Sequence, residues 1–118
     1  MEQKINPIGN IYISERAIST IASQVAIESY GVVGLAAKNI FEGAAQLVIN
    51  NPQLGVDIRY RHGTVEIDLY LILEYGMRIT SVASSISSAV RYQVEKTLGL
   101  PVSQVNIHVR GLRISDPD

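Results

Sequence analysis

Thr-Val-Glu-Ile-Asp-Leu-Tyr-Leu-Ile-Leu-Glu-Tyr-Gly, running from Thr64 to Gly76, decides the fold. Val65, Ile67, Leu69, Leu71 and Leu73 fall at every second position, and Glu66, Asp68, Tyr70 and Glu74 take most of the places between. A period of two puts the first set on one face of a β-strand and the second set on the other. At about nine residues it is longer than most strands. It reads as the spine of a sheet with one buried and one wet face.

The residues just before this stretch supply its partner. Val56 to Arg61 and Val65 to Leu73 read as a hairpin turned by His62-Gly63. A type I′ turn needs positive φ at both positions, which Gly accepts freely and His tolerates better than most side chains. In that register Tyr60 faces Val65, Ile58 faces Ile67 and Val56 faces Leu69, with Arg59 opposite Glu66 as an ion pair on the other side. Asp57 falls opposite Asp68, which is unfavourable unless Arg59 or a neighbouring strand compensates.

Two helices flank the spine. Ser14 is a good N-cap with Glu15 in the first turn, and Ala17, Ile18, Ile21, Ala22, Val25 and Ala26 recur at helical spacing, giving a helix over 14–30 closed by Gly31. The second runs from about Thr80 to Leu98, with Ile79, Val82, Ala83, Ile86, Ala89, Val90 and Val94 as its buried stripe and Gly99 and Pro101 as its stop. Gly9 to Ile13, Val32 to Lys38 and Val105 to Leu112 read as further strands, the last with Val105, Ile107 and Val109 inward and Asn106, His108 and Arg110 outward. Residues 1–8 read as a polar lead-in. Residues 39–55 read either as a short helix lined by Phe41, Ala44, Ala45, Leu47 and Val48, or as a partly ordered connection. The expected fold is α+β: a two-layer sandwich with a mixed sheet and two long helices on one face, in the order β-α-β-(short α)-β-β-α-β.

The chain has 118 residues, 47% of them hydrophobic, and a formal charge of −1. That length suits one domain, placed at residues 5–113 with a polar tail at 114–118. The charge argues against a general nucleic-acid binder. Without cysteine there is no disulfide, thiolate metal site or Cys nucleophile. The start lacks the apolar run of a signal peptide, and no stretch reaches the ~20 apolar residues of a membrane span. The expectation is a cytoplasmic protein that meets a membrane only through a partner.

No catalytic signature is present. Ser14, Ser84 and Ser115 lack the partners of a nucleophile, and no phosphate loop or dinucleotide fingerprint occurs. His62 reads as a turn residue. His108 lies on the wet face, where Asp57, Asp68 or Glu66 could join it around a metal, but scattered positions on a wet sheet are ordinarily just solvated. Gly31-Val-Val-Gly34 has the bare spacing of a nucleotide-clamping Gly-x-x-Gly loop, yet apolar middle residues and a following strand favour a helix cap. The sequence therefore assigns no catalytic, cofactor or metal residues.

The outer helix faces are unusual. Ser19, Thr20, Ser23 and Gln24 on the first helix, and Ser81, Ser84, Ser85, Ser87 and Ser88 on the second, are small and uncharged where Lys, Glu and Arg are usual. Such a face lets another surface approach closely. Ser81, Ser84, Ser85 and Ser88 are the candidate interface.

Several blocks occur together: Gly9-x-Ile-x-Ile-Ser14, Glu28-x-x-Gly31-Val-x-Gly34-Leu35, Val65-Glu-Ile-Asp-Leu through Tyr75-Gly76, Val94-Glu95, and Val105-Asn-Ile-His-Val-Arg-Gly111. In this order and spacing, over roughly residues 5–113, the chain resembles the alkaline shock protein family, the Gls-type general stress proteins of Gram-positive bacteria. The resemblance implies a cytoplasmic, non-enzymatic protein of the envelope stress response. It also implies self-assembly and attachment to an integral membrane partner carrying a related domain. The alternatives are a small RNA-binding module using Arg59, Arg61 and Arg110, or a regulatory subunit of a metabolic enzyme.

Overall fold

The structure is a computed structural model that describes the backbone of residues 5–8, 11–37, 47–48 and 55–114, with side chains for 14–37 and 55–114. Strands β1 (Ile5–Ile8) and β2 (Ile11–Ser14) form an antiparallel hairpin. The segment Ile5–Ile8, expected as lead-in, is thus a strand. Pro7 is tolerated there because a two-stranded hairpin leaves outer edges on which a missing N–H costs nothing. Helix α1 (Glu15–Ile27) follows, its first turn capped by the Ser14 hydroxyl, which accepts from the Arg16 N–H at 3.0 Å. It stops three residues earlier than expected, and the chain turns through Glu28 to reach Gly31 at φ 88°.

Strands β3 (Val32–Ala36), β4 (Leu47–Val48), β5 (Val56–Arg61) and β6 (Thr64–Glu74) come next, then helix α2 (Ile79–Leu98) and strand β7 (Val102–Arg113). Leu47 and Val48, expected at the end of a short helix, pair with Ala36 and Leu35 as a strand. The rest of that expected helix lies outside the described residues.

The hairpin register is the expected one, pair for pair, from Val56 opposite Leu69 to Arg61 opposite Thr64. His62 (φ 49°) and Gly63 (φ 80°) make the turn. β7 lies parallel to β6 along Val65 to Glu74, the pairing that a β-α-β unit with α2 as its crossover permits. A strand has two edges and β7 takes one for its whole length. The other edge is therefore divided, with β5 over Thr64–Leu69 and β3 over Val32–Leu35 against Leu71–Leu73. Where these two strands meet, Gly55 fits closely: a Cβ there would sit 2.9 Å from the Ala36 carbonyl oxygen.

Both helices cover the odd-numbered face of β6. Ile18, Ala22 and Ala26 of α1 and Val82, Ile86, Val90 and Val94 of α2 enclose Val65, Ile67, Leu69, Leu71 and Leu73 in one core. The mixed sheet and two helices on one face make the fold the expected α+β sandwich. α2 also grips the outer side of β7. Ser87 donates to the Val105 carbonyl at 3.2 Å, Arg91 donates to the Ser103 carbonyl at 3.1 Å, and the Glu95 carboxylate accepts the Val102 N–H at 2.9 Å.

Two glycines with positive φ separate backbone strain from packing. A Cβ on Gly63 would meet nothing within 4 Å, whereas one on Gly31 would lie 3.2 Å from Met77 Cε and 3.3 Å from Val82 Cγ2. Gly63→Ala should cost about 1 kcal/mol from the left-handed backbone alone. Gly31→Ala should cost about 1–3 kcal/mol more from overpacking, read as the difference in urea midpoint. Equal midpoints for the two variants would contradict this packing.

Candidate functional site

Ser81, Ser84, Ser85 and Ser88 are all exposed, on the side of α2 away from Val82, Ile86, Val90 and Val94. Thr80 is exposed beside them. Ser87 is only partly so, since its hydroxyl is bonded to β7. The corresponding reading of α1 is corrected: Ser19 and Ser23 are each 3% exposed. Small polar residues sit inside because α1 packs on α2 as well as on the sheet, and its buried arc is wider than its apolar stripe. Thr20 and Gln24 remain outside.

The open face of the sheet holds a polar cluster that the sequence showed only in part. Asp68, on the even side of β6, is 4% exposed, and three groups reach it. Arg59 donates to Oδ2 at 2.6 Å, Asn106 donates to Oδ1 at 3.0 Å, and His108 Nε2 lies 2.9 Å from Oδ1. Glu66 accepts from Arg59 at 2.8 Å and from Asn106 at 2.9 Å, while Arg61 stands 3.9 Å away. The Asp57–Asp68 juxtaposition is thus compensated from both sides, by Arg59 on β5 and by Asn106 and His108 on β7. Arg59 was legible from the hairpin. Asn106 was not, because its place beside Asp68 follows from the parallel register of β7.

Tyr70 and His108, also opposite each other across β6 and β7, stack with ring centres 4.7 Å apart and planes 15° apart. The Arg110 guanidinium lies over the Tyr70 ring at 4.9 Å. Arg59 is held by the carboxylates of Glu66 and Asp68. Among the described residues no three His, Asp or Glu side chains converge as metal ligands, and every buried side-chain nitrogen or oxygen has a hydrogen-bond partner. Gly31 and Gly34 belong to the helix-to-strand turn and to β3, where Gly34 faces Ile72. No described helix is long and apolar enough to cross a membrane.

Asp68→Ala would withdraw the acceptor shared by Arg59, Asn106 and His108. Arg59 is 44% exposed, so water takes over part of its bonding. The expected loss is about 1–3 kcal/mol, seen as a lower urea midpoint with the far-ultraviolet circular dichroism intact. An unchanged midpoint would show that the cluster is decorative.

Comparison with known proteins places this geometry in a family. YloU of Bacillus subtilis is 39% identical over 111 residues, 92% of either chain. Spy1614 of Streptococcus pyogenes is 31% identical over 117 residues, 97% of either chain. Among solved structures, a variant of the MamM CTD superposes with a TM-score of 0.50 at 13% identity, covering 82% of this chain and 96% of that one. The zinc form of another variant does so with 0.50 at 14% identity, covering 86% and 89%. At such identities the likeness is one of fold. Residues 3–114 match one family over nearly the whole chain, and the chain belongs to the alkaline shock protein 23 family, whose function is cell envelope-related.

Proposed function

We infer that the chain is a non-enzymatic interaction module of the cell envelope, working by self-association and by docking on a membrane-anchored partner. The observation that carries this reading is the outward face of α2. A helix of 20 residues presents Ser81, Ser84, Ser85 and Ser88 to solvent, without a charged residue among them, while its opposite side is locked into the core. Serine contributes little to helix formation, so its repetition there does not serve the helix itself. Its small size lets a second backbone come close, and its hydroxyl keeps the face soluble when uncovered. Family membership supplies the envelope setting.

The wild-type chain is expected to sediment as a species heavier than its 12.9 kDa monomer. Ser84→Arg combined with Ser88→Glu, both on exposed positions, should return it to the monomer without loss of helix content. From detergent-solubilised cells, tagged wild-type protein should bring down an integral membrane protein in stoichiometric amount, and the double variant should recover less. A wild-type monomer at all concentrations, or a double variant that sediments unchanged, would remove the α2 face from consideration.

A further inference from the structure

Of the eight large apolar side chains exposed among the described residues, all but Tyr92 gather at one end of the molecule. The topology brings them there. β6 and β7 are parallel and finish together, β3 starts beside them, α1 ends and α2 begins there. Val32 pairs with Leu73 and Leu73 with Leu112, while Tyr75 N–H donates to the Arg113 carbonyl at 2.7 Å. Tyr30 on the α1–β3 turn is 83% exposed, Tyr75 on the β6–α2 turn 65%, and Ile114 after β7 80%. Ile27, Ile79 and Leu112 stand among them.

We propose that this end enters the interfacial layer of a phospholipid bilayer directly. The inference rests on the envelope placement proposed above and adds contact with lipid itself. Three features select lipid as the occupant. The side chains protrude singly from turns and a strand end, and a fluid interface accepts such tips without the shape complementarity that a protein partner requires. Two of the most prominent are tyrosines, whose rings suit the acyl boundary while the hydroxyl stays among headgroups.

The third feature is the backbone. The N–H groups of Ser29, Val32, Glu74, Tyr75, Met77 and Val82 all donate within the protein, to Ala26, Ser29, Gly31, Arg113, Glu74 and Arg78. These six donors stay paired when the turns leave water. The first N–H groups of α2, whose N-cap Arg78 makes no side-chain bond, are left to the water and headgroup oxygens of the interfacial layer. Charge adds little pull: Arg78 and Arg113 are set against Glu28 and Glu74 at this end. Apolar burial is the driving term, and attraction to anionic lipid is a minor one.

Flotation of the full chain with protein-free vesicles tests this. The chain should float with pure phosphatidylcholine and about equally with added phosphatidylglycerol. Binding should persist as salt rises from ~0.1 to ~1 M, a range that screens surface charges. Tyr30→Ser combined with Tyr75→Ser should lower partitioning about tenfold or more with thermal unfolding unchanged, both positions being solvent-exposed. No flotation with either lipid, flotation abolished by salt, or flotation unaffected by the tyrosine variant would each overturn the proposal. Because the vesicles carry no protein, such a failure leaves partner docking to its own test. A tyrosine variant that loses self-association while still floating would assign this end to a second copy and would likewise overturn it.

Discussion

Everything in this molecule is arranged around the demands of β6. Its odd face must be dry, so both helices lie on it. Its two edges must be hydrogen-bonded along their length, so three strands are recruited, one parallel and two antiparallel end to end. Its even face keeps a carboxylate, Asp68, where solvent hardly reaches. A buried carboxylate is tolerable only with donors around it, and they come from both neighbouring strands. The same register that closes the core therefore also builds the polar cluster on the opposite face.

What could be read from the sequence follows the range of the interaction concerned. The β5–β6 hairpin was legible in full because a two-residue turn and a period of two leave one register. α2 was legible because its apolar stripe is long and its stop is marked by Gly99 and Pro101. The pairing of β7 with β6 joins residues some forty positions apart, such as His108 and Asp68, and no local pattern specifies it. Ser19 and Ser23 misled for a physical reason: hydroxyls look like solvent residues until two helices press together over them. Ile5–Ile8 reads as part of a polar lead-in, and it is the pairing with Ile11–Ser14 that makes it a strand. The apolar end was invisible for the same reason as β7, being assembled from turns distant in the chain.

The surface is consequently divided by chemistry. The open sheet face is a closed account of charges, each carboxylate of the cluster answered by a cation or an amide. The outer side of the first half of α2, from Thr80 to Ser88, is small and neutral. The end where β6 and β7 finish gathers exposed apolar side chains beside two arginines and two glutamates. Three surfaces of different character thus meet the solvent.

The grip of α2 on β7 has a further consequence. A twelve-residue strand at the margin of a sheet would ordinarily be a template for uncontrolled cross-β growth. Here Ser87, Arg91 and Glu95 occupy backbone groups along its first half, and two register shifts, near Ser103 and Arg110, interrupt its regular pattern. Irregularity of this kind blunts an edge. The strand is thereby guarded against pairing edge to edge with an identical strand of another molecule.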